Sequence, residues 1–473
     1  MREATPGPSA DRSYWFREAM SYAPARPLPE LQGDADADVV IVGGGYTGLW
    51  TAWFLTERDP DARVVVLERS ICGAGASGRN AGFLTGWWDE LPDLSNRYGS
   101  SRALGACRAL DESITAIGEW SRYRGADVWY TPAGCMEVAS AASQEWRWRE
   151  AAEACARAGA PDAYRRLTPE DVRAVCDAPV FRGGGFMQRA ATVQPARLAF
   201  ALRAAVLERG VRIHEATHLR RLDAGPPVVA RTRSGEVRAE KAVVATNAWA
   251  AGWRPLRRVL VVRGSYMTVT APAPKRLEEI GWTGGECIND LRSALYYFRT
   301  TPDGRIAFGG AGRAAGGSRI GRLDYDRTSV GYVVEGFRRF FPSFRDVPLE
   351  EAWGGAVDVS GLHHPVFGTL GSGTVHHVSG YSGNGVAPSH LAGRILSALA
   401  LGADDDPVAK LPMVGASPKR MPPEPFKSAG AALVQSAIMR RESREDEGRR
   451  SSWVTRALSR VPARLGFALG RRD

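Results

Sequence analysis

Residues 37–70, ADVVIVGGGYTGLWTAWFLTERDPDARVVVLERS, constrain the fold more than any other stretch of this chain. Val39–Val42 is a continuous apolar run ended by glycine, too short for a helix and of buried-strand type. Thr47–Arg58 reads as a helix, Asp59-Pro60-Asp61 breaks it, and Arg63–Leu67 is a second buried strand. The order is strand, glycine turn, helix, parallel strand.

The turn spells G-x-G-x-x-G with Gly43, Gly45 and Gly48. Gly43 permits the tight turn, Gly45 lacks the Cβ that would hold a pyrophosphate away, and Gly48 lets helix and strand approach closely. The helix amides and macrodipole then face the phosphates. Glu68 ends the second strand, where a carboxylate can accept hydrogen bonds from a ribose 2′-hydroxyl. Together these features predict dinucleotide binding.

Residues 1–36 are rich in Pro, Ala and Asp and are expected to be an irregular lead-in. The loop Cys72–Phe83 is too glycine-rich for a helix, and residues 100–175 have helical composition. Arg197–Arg209 is an amphipathic helix ended by Gly210. Two strands follow, with a third at Ala242–Ala245; residues 256–310 alternate in strand fashion, and the TPDG at 301–304 makes a hairpin turn. Near the C-terminal end, GYSGNGVAPSHLAG is a glycine loop leading into a helix.

The net charge of +10 comes from 62 basic and 52 acidic residues. Half of the excess sits between Arg440 and Asp473, with ten arginines against five acids. No basic face with interleaved aromatics remains, so nucleic acid is not an expected partner. In the tail, Trp453, Ala457, Val461 and Leu465 share a helical face that Pro462 interrupts. A tail docked on its own body, or solvated, is favoured there over weak contact with a membrane surface. The six cysteines are scattered without a C-x-x-C pair, and the N-terminus shows no apolar signal region, so a cytoplasmic address is expected. His363-His364 and His376-His377 lack metal-ligand spacing, and no metal site is predicted.

The segments VVIVGGGYTGL, LERSICGAGASGRNAGF, ATVQPARLAFALRAAVLERGVRIHE, KAVVATNAWA, YYFRTTPDGRIAFGG and GYSGNGVAPSHLAG resemble the D-amino-acid oxidase and glycine oxidase family of FAD-dependent oxidoreductases. The likeness is strongest to its γ-glutamylputrescine oxidase branch. It implies FAD rather than NAD, and an α/β fold: a discontinuous Rossmann-like domain plus a substrate domain on an antiparallel sheet. The FAD domain is expected at 37–95, 181–255 and 351–408. A helical part of the substrate domain is expected at 96–180, its sheet at 256–350, and a basic tail at 409–473.

The resemblance places Glu68 on the adenosine ribose and the loop Ser77–Gly82 beside the diphosphate and isoalloxazine. It aims the N-terminus of the helix after Gly380–Val386 at the flavin's pyrimidine edge, where a positive end stabilises reduced anionic flavin. The cofactor-binding residues it implies are Gly43, Gly45, Tyr46, Thr47, Gly48, Glu68, Arg69, Ala76, Ser77, Gly78, Arg79, Asn80 and Gly82. Leu219, Thr246, Asn247, Gly355, Gly380, Ser382, Gly383, Asn384, Gly385 and Val386 complete the set. Covalent tethers used elsewhere in the family are missing, with Asn80 at one such position, so noncovalent FAD is expected. No lysine lies between Lys275 and Lys410 to assist oxygen.

Flavin oxidation of a C–N bond asks mainly for positioning. Tyr296 and Tyr297 are neighbours on one strand, so only one faces the ring. They, Arg299 and His364 are the candidate catalytic residues, with Arg263 and Tyr266 as comparable positions and Trp87-Trp88 as an aromatic wall or core. The activity implied is oxidation of a primary or secondary amine or amino acid, with oxygen as acceptor. A dehydrogenase serving a quinone or carrier protein, and a flavin-binding protein without turnover, are the alternatives.

Overall fold

The glycine-punctuated unit folds as its residue pattern demands. In a computed structural model, which describes residues 13–315, 320 and 323–464, helix α1 (Tyr14–Tyr22) precedes β1 (Ala35–Val42), α2 (Tyr46–Arg58) and β2 (Val64–Leu67). β1 and β2 pair in parallel from Val39–Val64 to Val42–Leu67. A Cβ on Gly48 would stand 1.9 Å from the Gly43 carbonyl oxygen, so α2 reaches the strand only because that position is glycine.

Helix α3 (Ser100–Tyr123) leads to β3 (Cys135–Val138), β4 (Arg165–Leu167) and β5 (Gly184–Met187). Then come α4 (Pro195–Glu208), β6 (Arg212–His214) and β7 (Glu236–Val244). β8 (Leu260–Thr270), β9 (Cys287–Asp290), β10 (Tyr296–Thr300) and β11 (Ile306–Ala315) precede α5 (Arg327–Phe340) and β12 (Leu349–Ser360). β13 (Val366–Leu370), β14 (Val375–Ser379), α6 (Val386–Ala400) and α7 (Phe426–Asp446) follow.

Two sheets carry the architecture. The first has a main path β13-β14-β7-β1-β2-β6, parallel except for β13 at its edge, and two short strands, Val228–Arg231 and Arg221–Asp223, extend it antiparallel from β7. β2 and the later parts of β1 (Val39–Val42) and β7 (Ala242–Val244) are apolar and buried, as a parallel sheet covered on both faces requires. The second runs β12-β8-β11-β10-β9-β3-β5-β4 and is antiparallel apart from the β9–β3 pair. One of its faces packs Tyr266, Tyr296, Phe298 and Phe308 against Phe337 and Phe340 of α5. Phe298 and Phe308 stack with centroids 5.0 Å apart. Each such ring contributes about 1.5–3 kcal/mol of apolar burial. The opposite face turns toward the first sheet.

Several boundaries differ from expectation. Within the lead-in, YWFREAMSY forms α1, because Trp15, Phe16 and Ala19 bury against a cluster that includes Phe200 and Trp353. Strands β3 and β4 interrupt the stretch read as helical, and β5 joins the same substrate sheet although 181–255 was assigned to the FAD domain. β12 also leaves the third FAD-domain segment, pairing with β8 from Leu349–Thr270 to Ser360–Leu260. Strand partners far along the chain override local composition in all three cases. In the tail, α7 docks on the body: Gln435 donates to the Gly312 carbonyl, and Glu442 and Asp446 reach the loop after β9. The membrane alternative gains no support, and Leu465 lies outside the described residues. No helix of the described residues is long and apolar enough to cross a membrane.

Candidate active site

A cavity of about 750 Å³ lies where the two sheets face each other. Its first half is built by the β1–α2–β2 unit. The N-termini of α2 and α6 both open onto it and neither has a side-chain cap from its own N-cap residue, so apart from the Tyr46 amide, which Ser77 engages, first-turn amides remain available for an anion. A Cβ on Gly45 would stand 2.9 Å from Ser77 Oγ, inside the cradle. Ser77 Oγ accepts from the Tyr46 amide at 2.9 Å, which joins the loop after β2 to the start of α2.

Glu68 reaches the cavity beside that turn. Its carboxylate accepts from the amides of Gly44 (2.7 Å) and Ser70 (2.8 Å), while burial raises its pKa. Arg69 lies over the Trp249 ring at 3.7 Å, forming a flat wall with Leu219 nearby in the lining. These groups fit the ribose and adenine of a dinucleotide, and the uncapped helix ends fit its phosphates.

The loop from Ala76 to Asn80 lines the next stretch. Asn80 holds it closed, donating to the carbonyls of Ala76 (3.0 Å) and Ser77 (2.9 Å) and accepting from the Gly82 amide (2.6 Å). Arg79 is buried and donates to the Ala74 and Gly354 carbonyls at 2.9 and 3.0 Å, tying this loop to β12. Asp358 of β12 organises the opposite side. Its carboxylate accepts from the amides of Gly380 and Tyr381 and from Asn247 Nδ2 at 3.1 Å. Burial pushes its pKa up to about 7, even against those donors.

Nineteen of the twenty-three cofactor residues expected from sequence line this cavity. The other four are glycines that shape backbone behind it: Gly48, Gly78, Gly82 and Gly380. At Gly82, with φ +75°, a Cβ would meet the Val193 carbonyl at 1.9 Å.

The second half is the inner face of the substrate sheet. Strand alternation settles the tyrosine pair: Tyr297 lines the cavity, and Tyr296 points to the aromatic layer, stacked on Tyr332. Tyr297 hydroxyl bonds Ser265 Oγ at 2.7 Å, and burial raises its pKa to about 12, so it is neutral. Across the strands its neighbours are Asn289 and then Glu137, both in the lining. Arg263, two residues before Ser265, completes this polar track.

Three candidate catalytic residues lie elsewhere. Tyr296 is on the wrong face. Arg299 is buried behind the wall, donating to the carbonyls of Val193 and Thr300, its pKa lowered to about 10 by burial. His364 is buried against Tyr98 hydroxyl at 2.8 Å; its neighbour His363 faces the cavity instead. Trp87 and Trp88 are core, with Trp88 bonded to Asp111. Sequence reading missed Asp358, Asn289 and Glu137. The signal was a polar residue or two inside otherwise apolar stretches of strand (AVDV, CIND, CMEV), which marks a buried polar group with a job.

The family model of FAD dependent oxidoreductases matches residues 38–399. The chain belongs to that family. It is 30% identical over 431 residues to gamma-glutamylputrescine oxidoreductase of Escherichia coli K12, covering 89% of this chain and 96% of that protein. A probable oxidoreductase, OrdL, of Rhizobium meliloti is 29% identical and covers 82% of this chain and 88% of its own. Among solved structures, glycine oxidase of Geobacillus kaustophilus superposes with a TM-score of 0.64 at 20% identity, over 78% of this chain and 95% of that one. L-proline dehydrogenase of P. horikoshii gives 0.64 at 19% identity, over 82% and 96%. FAD is therefore the cofactor, and α7 lies beyond the matched family segment.

Proposed function

We propose that the chain oxidises a primary or secondary amine, or an amino acid, by hydride transfer to noncovalently held FAD, releasing an imine that water hydrolyses, with oxygen as electron acceptor. The observation that carries this reading is the single cavity in which the dinucleotide cradle meets a polar substrate wall. The amine in the name of the Escherichia coli relative and the amino acids in the titles of solved ones support the same class.

FAD supplies the oxidising power; the chain's own residues position and desolvate. The neutral Tyr297 and Ser265 hydroxyls offer hydrogen bonds that hold an amine without protonating it. Asn289 and Glu137 extend the track along the sheet, so a substrate lies flat against it. Among the described residues no cluster of His, Cys, Asp and Glu is arranged for a metal. The lining contains no cysteine, and Asn80's amide is engaged by its own loop, so cofactor affinity rests on the diphosphate cradle and ring burial. Six free, buried cysteines support a cytoplasmic address.

Anaerobic mixing of the yellow protein with a panel of amines and amino acids is the test. Bleaching by at least one of them, reversed by air, is expected. Bleaching only by alcohols or 2-hydroxy acids overturns the assignment. Acid precipitation should leave all flavin in the supernatant.

A further inference from the structure

The loop that lines the cavity with Ala76, Ser77, Arg79 and Asn80 has a second face, and helix α1 covers it. Ser13 is the N-cap residue of α1, yet its side chain caps none of the helix's own amides. A serine there ordinarily accepts from an amide of the first turn. Here its hydroxyl is buried and donates to the Gly78 carbonyl at 2.9 Å. A Cβ on Gly78 would stand 3.1 Å from Phe16 Cδ2 and 2.6 Å from the Gly73 carbonyl oxygen. This glycine does not line the cavity; it is the seat of the Phe16 ring. Trp15 meets Trp353 of β12 edge to face at 6.1 Å, and Trp353 Nε1 donates to the Arg79 carbonyl at 2.9 Å.

The segment from α1 to Leu28 is fastened around the same loop. Gln194 Nε2 donates to the Trp15 carbonyl at 2.7 Å, and Glu18 pairs with Arg197 of α4. Farther on, Glu215 accepts from the Leu28 amide at 2.7 Å with one oxygen and from the Cys72 amide at 2.9 Å with the other. The segment therefore reaches the loop directly at Gly78 and through Glu215 at Cys72, neither of which lines the cavity. One apolar cluster joins Trp15 and Phe16 to Ala74 and Ala81 of the loop, Met267 of β8 and Trp353. Helix α1 has nine residues, too few to persist alone in water, so it forms only where this surface is in place. Loop and helix order one another, and a ligand that orders the loop from the cavity side also favours the docked helix.

We propose that Ser13, Trp15 and Phe16 are positioning residues for FAD, acting through the back of the 72–82 loop, so that cofactor binding and the docking of α1 reinforce each other. The helix precedes residues 38–399, so this brace lies outside the segment that the family model matches. It rests on FAD as the cofactor and is independent of which donor the flavin oxidises. Without the brace the loop is free to move in the cofactor-free chain, and FAD must order it on binding, which lowers affinity. The same coupling runs in reverse: bound FAD holds α1 down.

The test titrates FAD into the full-length, cofactor-free chain and follows flavin fluorescence. Phe16→Ala, which empties the seat at Gly78, should weaken FAD by about tenfold, and Phe16→Leu, which refills most of it, should recover most of that loss. Ser13→Ala, which leaves the Gly78 carbonyl without its donor, should weaken FAD by about threefold. Phe337→Leu, in the outer aromatic layer, should lower the melting temperature of the cofactor-free chain with FAD affinity unchanged. In the wild type, hydrogen exchange at the α1 amides should be about tenfold slower with FAD bound than without it, and equal in the two states at α5. Wild-type FAD affinity in Ser13→Ala and Phe16→Ala, or equal α1 exchange with and without FAD, overturns the proposal. If Phe337→Leu weakens FAD as much as Phe16→Ala, the loss is general instability and the proposal falls as well. Should Phe16→Ala not fold, Phe16→Leu, Ser13→Ala and the exchange measurement decide.

Discussion

Gly43, Gly45 and Glu68 reach the cavity from one strand–helix–strand unit, whereas Glu137, Arg263, Asn289 and Tyr297 reach it from four separate strands. The cofactor half presents mainly backbone: uncapped helix ends, glycines, and turns held by Asn80 and Asp358. The substrate half presents side chains aligned by strand register. A backbone cradle suits a cofactor whose phosphates are recognised by amides. A side-chain wall can change its specificity one residue at a time without disturbing the frame.

The largest effect expected is on the cofactor half. Gly45→Val places a Cβ 2.9 Å from Ser77 Oγ, in the cradle at the open end of α2. Overpacking of about 3 kcal/mol corresponds to a loss of FAD affinity on the order of a hundredfold. The protein should purify colourless yet fold, because the clash is with a small mobile side chain. Visible absorbance and a thermal melt read the two outcomes, and a yellow variant would break the division between the halves.

The corresponding lesion in the substrate half is Gly309→Ala. Gly309 on β11 pairs with Tyr297, and a Cβ there would stand 2.1 Å from its ring. The ring must swing into the cavity, at a cost of about 1–3 kcal/mol. A tenfold to hundredfold fall in kcat/KM with full flavin content is expected. Loss of flavin in this variant would show that the halves are not separable.

The same contrast explains what was legible in the sequence. The cofactor half is written in spacing: a glycine rhythm, two short apolar strands and a terminal acid fix geometry over a short stretch. Its glycines were readable even where, as at Gly48 and Gly82, they act by close backbone approach rather than by touching the cavity. The substrate half depends on which strands pair and in what register, and local sequence carries neither. Tyr296 and Tyr297 were both plausible until β10 was placed between β9 and β11. β12 was assigned to the wrong domain because its partner, β8, is remote in the chain. Asp358 escaped notice for that reason, although it organises the loop that precedes α6.

The third prediction concerns the helix that backs the substrate half. Burial pushes the Glu442 carboxyl up to about 7, from an ordinary 4.5. Below about pH 4.5 folded and unfolded chains both hold this proton, so it imposes no penalty. As pH rises to 7 the unfolded chain releases the proton first, and stability from this group falls; above 7 the loss is complete. The penalty is about 1–3 kcal/mol. Glu442→Gln should therefore soften the decline of melting temperature between pH 5 and 7, by about 1–3 °C, with flavin content unchanged. An identical pH profile in the variant would remove α7 from the account of the wall.

The smallest effect expected comes from the tyrosine pair, and it draws the finest line between the two faces of one strand. Tyr297→Phe removes the hydroxyl that bonds Ser265 at 2.7 Å inside the cavity; Tyr296→Phe removes one that reaches the Tyr332 carbonyl at 3.3 Å in the aromatic layer. Neither change alters ring volume, so packing is preserved and only a hydrogen bond is lost, worth about 0.5–1.5 kcal/mol. For Tyr297→Phe that loss should appear in turnover, as a roughly threefold to tenfold fall in kcat/KM with little change in melting temperature. For Tyr296→Phe it should appear only as a small fall in melting temperature, because its hydroxyl lies on the far side of the sheet. If Tyr296→Phe slows turnover and Tyr297→Phe does not, the inner and outer faces of β10 have been exchanged, and Ser265 and Asn289 would leave the proposed substrate wall with Tyr297.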